Sequence, residues 1–203
     1  MTAALLLARH GQTVWHEENR YAGVSDVALT HEGRRQAEAL GSWAKVHPVD
    51  AVWTSTVSRA IETAEPACRA LGLVPRTEHD LRECDFGTVE GRTIAEFAAA
   101  DPAGADAFRA DPVAHPFPDA ENPRAAAARG SEALRRIAGE HEGERVLVVA
   151  HNTLLRLVLC ELLGIPLADY RRVFPQLRNA AVSELRLAPD AERAALISFN
   201  LPC

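Results

Sequence analysis

Apolar residues in this chain fall into short unbroken runs, separated by longer stretches in which they recur every three or four positions. The first run, Ala3 to Ala8, ends at Arg9-His10-Gly11 and predicts a buried strand that releases charged residues from its C-terminal end. Between Leu29 and Ala44, Ala37, Leu40 and Trp43 keep helical spacing behind Thr30, a residue suited to capping a helix. Asp50–Ser55 predicts a second strand, Val57–Leu71 a second helix and Leu73–Thr77 a third strand. Arg145–Ala150 (RVLVVA) carries the clearest parallel-strand pattern, and a helix from Thr153 to Leu163 follows it, ended by Gly164. Two more strands, Ala181–Ala188 and Ala194–Phe199, flank a turn at Pro189-Asp190.

Strand–helix alternation of this kind predicts an α/β fold, a three-layer α/β/α sandwich around a mostly parallel central sheet. Residues 1–203 fit a single domain, because one core can close at this length. The stretch from Asp101 to Arg129 differs from the rest. It is rich in Ala, Asp and Pro, and Pro102, Pro112, Pro116, Pro118 and Pro123 read as breakers of any long helix. It is expected to form a lid-like insertion over the C-terminal edge of the sheet.

Composition narrows the range of partners. With 47% hydrophobic and 25% charged residues the chain has an ordinary globular balance. A formal net charge of −6 argues against nucleic acid and against an anionic membrane surface. The basic residues are arginines apart from Lys45, so any anion site is built from guanidinium groups. Cys68, Cys84, Cys160 and Cys203 show neither paired nor metal-knuckle spacing and read as thiols of a reducing compartment. The N-terminal apolar run is too short to span a bilayer and no cleavage signal precedes the first motif, so the expected location is cytoplasmic.

The candidate chemistry lies at strand ends. In open α/β sheets ligands bind beyond the carboxyl ends of the strands. The first strand delivers Arg9 and His10, the second leads through Ser55 to Arg59, and Arg145–Ala150 delivers His151. Two arginines and two histidines on one edge suit a dianion, since the guanidinium fork matches phosphate oxygens. Asn152-Thr153 opens a helix whose free N–H groups would add to the attraction. A divalent metal would be repelled by these guanidinium groups and would find no carboxylate cluster beside either histidine. Neither a metal nor another cofactor is expected.

Leu7-Ala8-Arg9-His10-Gly11-Gln12-Thr13 resembles the signature of the histidine phosphatase superfamily, which includes the phosphoglycerate mutase-like proteins. The match continues in order through Asp26–Gly33, Ser55–Ala64, Leu81–Gly87 and Val148–His151, leaving the middle insertion unmatched. The resemblance implies that His10 is the nucleophile, that Arg9, Arg59 and His151 hold the phosphoryl oxygens, and that Glu83 protonates the leaving group. Four positions depart from the pattern: His16 stands where asparagine is usual, Ala22 where glutamine is frequent, Asn152 where glycine is common, and Val89 where an aromatic often sits. His16 and Asn152 are therefore counted as substrate contacts, with His16 donating to a phosphoryl oxygen in place of the asparagine.

The expected activity is metal-independent hydrolysis of small phosphomonoesters through a phosphohistidine. A cofactor-dependent phosphoglycerate mutase and a non-catalytic phospholigand-binding protein are the alternatives. Glu83 is followed closely by Phe86-Gly87-Thr88-Val89-Glu90-Gly91, the phosphatase-like form, and the lid is short. Lid residues Arg109, His115, Phe117 and Arg124 are expected to select the substrate. The final strand near Ile197–Phe199 is an edge that could pair two copies as a homodimer.

Overall fold

The computed structural model describes residues 1–203. Six strands form one sheet: β1 (Ala3–Arg9), β2 (Ala51–Ser55), β3 (Arg76–Glu78), β4 (Arg145–Ala150), β5 (Val182–Leu187) and β6 (Ala195–Leu201). Their spatial order is β3-β2-β4-β1-β5-β6. The first four of these run parallel, and β5 and β6 are added antiparallel. The α-helices are α1 (His31–Val46), α2 (Ser58–Leu71), α3 (Ile94–Ala100), α4 (Pro102–Ala110), α5 (Pro123–Glu140), α6 (Asn152–Leu163) and α7 (Tyr170–Val173).

The unbroken apolar runs of β1 and β4 follow from their central place, where both faces of each strand are covered. Successive side chains point to opposite faces. Leu5, Leu7, Val146 and Val148 therefore join one core with Leu134 and Ile137 of α5 and Leu154 and Leu157 of α6. Leu6, Ala8, Leu147 and Val149 join a second core with Leu40 and Ala44 of α1 and Ala60, Ala64 and Ala67 of α2. The result is the three-layer α/β/α sandwich that the alternation predicts. Thr30 caps α1 by accepting from the Gly33 amide at 2.9 Å, and Gly72 and Gly164 end α2 and α6 in the left-handed conformation.

Two expectations are corrected. The third strand begins at Arg76 rather than Leu73, because the Leu73 amide is already committed to the Cys68 carbonyl at the end of α2 and Pro75 has no amide to offer. The prolines of residues 101–129 also do not prevent helix. Pro102 and Pro123 sit in the first turns of α4 and α5, where the missing N–H would have been unsatisfied anyway. Asp101 and Asn122 cap those helices at 2.9 and 2.8 Å, and α5 then runs for 18 residues. Ala105, Phe108, Val113, Phe117, Ala126 and Ala127 of this segment belong to the main core.

Cys68, Cys84 and Cys160 are buried free thiols and Cys203 is exposed. No helix is long and apolar enough to cross a membrane. Strand β6 forms one edge of the sheet and leaves Leu196, Ile197 and Leu201 exposed.

Candidate active site

The register of the central strands decides where the chemistry meets. Arg9 of β1 pairs with Ala150 of β4, so the next residues, His10 and His151, leave the sheet at the same level. Their ring centroids are 5.2 Å apart and both residues are buried. The turn after β1 is locked from two sides. The Gly11 amide donates to the Thr63 hydroxyl at 2.9 Å, and that hydroxyl donates to the Arg59 carbonyl at 2.6 Å. A Cβ on Gly11 would stand 2.5 Å from the Gly33 carbonyl oxygen, so the loop can lie against the start of α1 only as glycine.

The protonation of His10 can be read from its neighbours. Nδ1 lies 2.7 Å from the Gly11 carbonyl, which can only accept, so Nδ1 carries the proton. Arg59 Nε, which can only donate, lies 3.3 Å from Nε2, so Nε2 presents a lone pair. Burial, then His151, Arg59 and Arg9, hold the His10 imidazole well below the usual histidine range. A neutral ring with a fixed lone pair is a nucleophile. His151 is anchored differently: Nε2 lies 2.8 Å from the Ser55 hydroxyl, and Nδ1 is buried with no partner. Burial, then Arg59, Arg129 and Arg9, keep it neutral as well.

Arg59 is fully buried beneath the cleft, and its Nη atoms donate to the carbonyls of Ala22, Gly23 and Ser25. Only Nε is left facing His10. Arg9 donates from Nη1 to the Leu177 carbonyl at 2.9 Å, and its Nε is buried without a partner. Its pKa falls to about 10, through burial opposed by Glu83.

His16 turns into the cleft and not to solvent. Its Nδ1 lies 3.0 Å from the Thr13 amide and 2.8 Å from the Thr13 hydroxyl. Burial and then Arg9 lower its pKa to about 4. Arg9 Nη2 stands 2.5 Å and Asn179 Nδ2 3.3 Å from its Nε2. Both of those groups can only donate, so Nε2 is their acceptor and His16 holds Arg9 in the cleft. Asn179 also donates to the His10 carbonyl at 2.7 Å.

Glu83 is buried against the start of α6. Its carboxylate accepts from the amides of Thr153 at 2.9 Å, Leu154 at 2.8 Å and Cys84 at 3.0 Å. The free amides at the start of α6, which the sequence assigns to a ligand anion, are therefore given to Glu83. Asn152 opens α6 and lines the cleft. Together Arg9, His10, His16, Glu83 and Asn152 face a cleft of about 350 Å³, while Arg59 and His151 support its floor. No group of three or more His, Cys, Asp or Glu side chains is arranged to hold a metal ion.

The expected lid residues are elsewhere. Arg109, His115 and Arg124 are exposed and outside the cleft, and Phe117 is buried against Phe108, Phe97 and Tyr21. The cleft wall is built instead by residues that sequence reasoning passed over: Asn19, Arg20, Tyr21, Arg156 and Arg171. Arg156 carried a usable signal, since it interrupts the apolar helix run Leu154-Leu155-Arg156-Leu157-Val158.

Sheet order, paired strand-end histidines and a buried arginine beside them define an α/β protein with a cationic cleft at the ends of its parallel strands. The chain belongs to the histidine phosphatase superfamily, branch 1, whose family model matches residues 5–200. It is 39% identical over 156 residues to the bifunctional protein Rv2228c of Mycobacterium tuberculosis, a match that takes in 76% of this chain and 43% of that protein. The chain thus matches less than half the length of that relative. It is 31% identical over 179 residues to the "Probable phosphoglycerate mutase GpmB" of Citrobacter koseri, covering 88% of this chain and 82% of that one. Among solved structures, mycobacterial glucosyl-3-phosphoglycerate phosphatase Rv2419c superposes with a TM-score of 0.88 at 27% identity, covering 99% of this chain and 100% of that chain.

Proposed function

We propose that this protein is a metal-independent phosphatase that hydrolyses small phosphomonoesters through a phosphohistidine on His10. The observation that carries the reading is the fixed tautomer of His10, with Nδ1–H on the Gly11 carbonyl and the Nε2 lone pair turned into the cleft beside the Arg59 Nε–H. Nε2 bonds to phosphorus as the ester P–O bond breaks, and Glu83 gives the leaving oxygen its proton. Water then attacks the phosphohistidine, Glu83 takes a proton from it, and inorganic phosphate leaves with Nε2 restored. Arg9, Arg59 and His151 supply the donors and positive charge that a metal would otherwise provide around the equatorial oxygens, with His16 holding Arg9 beside them. With the Ser55 hydroxyl donating to Nε2, His151 offers Nδ1–H to one of those oxygens, and the Asn152 amide side chain contacts substrate from the start of α6. The similarity to a solved phosphatase across the full chain supports this reading.

The similarity to GpmB supports a mutase as the second reading, in which the phosphoryl group returns to another hydroxyl instead of water. Release of inorganic phosphate from an alkyl phosphomonoester distinguishes the two, measured before and after exhaustive chelation. Phosphate release unaffected by the chelator is expected. Isomerised ester without free phosphate, or activity restored only by a divalent cation, would retire the proposal.

A further inference from the structure

The cleft holds more positive charge than one phosphoryl group needs. Arg9 and Arg59 stand beside His10, yet Arg156 and Arg171 line the same cleft. Arg20 lines it too, but Glu18 and Glu96 neutralise Arg20 through ion pairs. Arg156 and Arg171 are held by neutral partners. Arg156, only 8% exposed, donates from Nε to the Asn152 carbonyl and from Nη1 to the Phe174 carbonyl, and lies 4.9 Å over the Tyr170 ring. Those two bonds leave Nη2 uncommitted. Arg171 donates from Nε to the Tyr170 hydroxyl at 3.0 Å and rests 4.6 Å over Phe108, with no carboxylate paired to either Nη atom.

The contrast with Arg172 is informative. That side chain is 73% exposed and pairs with Asp169 in the ordinary manner of a surface arginine. Its neighbour Arg171 is instead turned inward onto an aromatic platform that fixes the plane of the guanidinium. Keeping a buried or half-buried guanidinium without a carboxylate is costly. In a chain of net charge −6, acidic partners are not scarce. Two unpaired forks on one wall are a recognition surface for an anion other than the one His10 attacks.

We infer that the substrate carries a second anionic group, a carboxylate or a second phosphate, which Arg171 and Arg156 grip while its phosphoryl group sits at His10. The inference rests on the proposed phosphatase reading for its chemistry, but not for its binding geometry. The far anion sets selectivity, and Arg171 is the specificity-determining residue because its guanidinium is oriented by neutral partners and meets no carboxylate.

Three matched three-carbon phosphomonoesters, ending in a hydroxyl, a carboxylate or a second phosphate, provide the test. The two anionic esters should exceed the hydroxyl ester in kcat/KM by about 10–100-fold, the worth of one or two charge-assisted hydrogen bonds. Which of the two leads identifies the natural end group. Arg171→Gln should bring the ratio close to one, and Arg171→Lys should keep part of it, since charge remains while the fork is lost. Arg156→Gln is the second variant, read alongside its thermal melt because that side chain is buried. Non-hydrolysable phosphonates of the same three compounds, titrated by calorimetry, make the outcome independent of turnover. Affinities ranked by the far anion and levelled by Arg171→Gln, without turnover of any ester, would keep this subsite and remove the phosphatase. Equal kcat/KM and equal affinities for all three, or an unchanged ratio in Arg171→Gln, overturn the inference.

Discussion

The ends of β1 and β4 each release a histidine at the same level of the sheet, yet the two rings are anchored through different nitrogens. At the end of β1 the Gly11 carbonyl takes Nδ1–H and leaves Nε2 as a lone pair facing Arg59. At the end of β4 the Ser55 hydroxyl takes Nε2 and leaves Nδ1 buried and unpartnered. Burial keeps both rings neutral. The anchor and not the residue type therefore decides which nitrogen each ring presents. A carbonyl can only accept, so it leaves its histidine a lone pair on the far nitrogen; a hydroxyl can donate, so it can leave its histidine an N–H there.

Substitutions at the two strand ends should separate these roles. His10→Ala should fall to background activity, because no other lone pair is aimed at the same point. His151→Ala should retain measurable turnover and lose about 10²–10³ in kcat, the usual effect of removing one preorganised donor. Equal and complete loss at both positions would break the comparison.

Glu83 sharpens it from the other side of the cleft. Glu83→Gln should cost about 10²–10⁴ with alkyl phosphates, whose alkoxide must leave with a proton. The same variant should lose little with nitrophenyl phosphate, whose leaving group is weakly basic. The comparison is made on the rate of phosphoenzyme formation, since a slow second step would hide it. Equal losses would reassign Glu83 to positioning, a role its three amide bonds also suit. Arg9→Ala and Arg59→Ala should each cost about 2–4 kcal/mol of transition-state stabilisation, read from kcat/KM.

A smaller effect lies in stability. An unfolded chain protonates histidine near pH 6.5, whereas folded His10, His151 and His16 stay neutral below that, His16 down to about 4. Between those values the unfolded state binds more protons, so stability is full above about pH 6.5 and declines as the pH falls. Urea unfolding at a series of pH values should show the decline, and His151→Asn should make it shallower. An unchanged slope in that variant would mean that His151 is already charged in the folded protein.

Much of this arrangement is legible in the sequence because it is local. Strand β4 coincides with its apolar run, Arg145–Ala150, and Arg9-His10 and His151 follow directly from strand ends. Thr30 announces a helix start through its hydroxyl, and Gly164 a helix end because without a Cβ it takes the left-handed conformation. What escapes is long-range or depends on position within an element. Pro102 and Pro123 look like breakers until it is known that they occupy first turns. Asn179 reaches the His10 carbonyl across 169 positions of sequence, which no local pattern encodes. The start of α6 offers amides in the sequence, but Glu83, some 70 residues earlier, occupies them. Arg171 and Arg172 are identical in type, and only packing against Phe108 and Tyr170 tells which faces the cleft.

The measurement that bears most directly on the account is the identity of the phosphorylated residue. Substrate labelled in its phosphoryl group is mixed with the protein, quenched within the first turnover, and the label is mapped by residue. Label on His10, stable to alkali, lost in acid and absent from His10→Ala but still formed by His151→Ala, is the predicted result. Acid-stable label on a serine or threonine, or label on His151 with His10 unmodified, would contradict the assignment of the nucleophile to the end of β1.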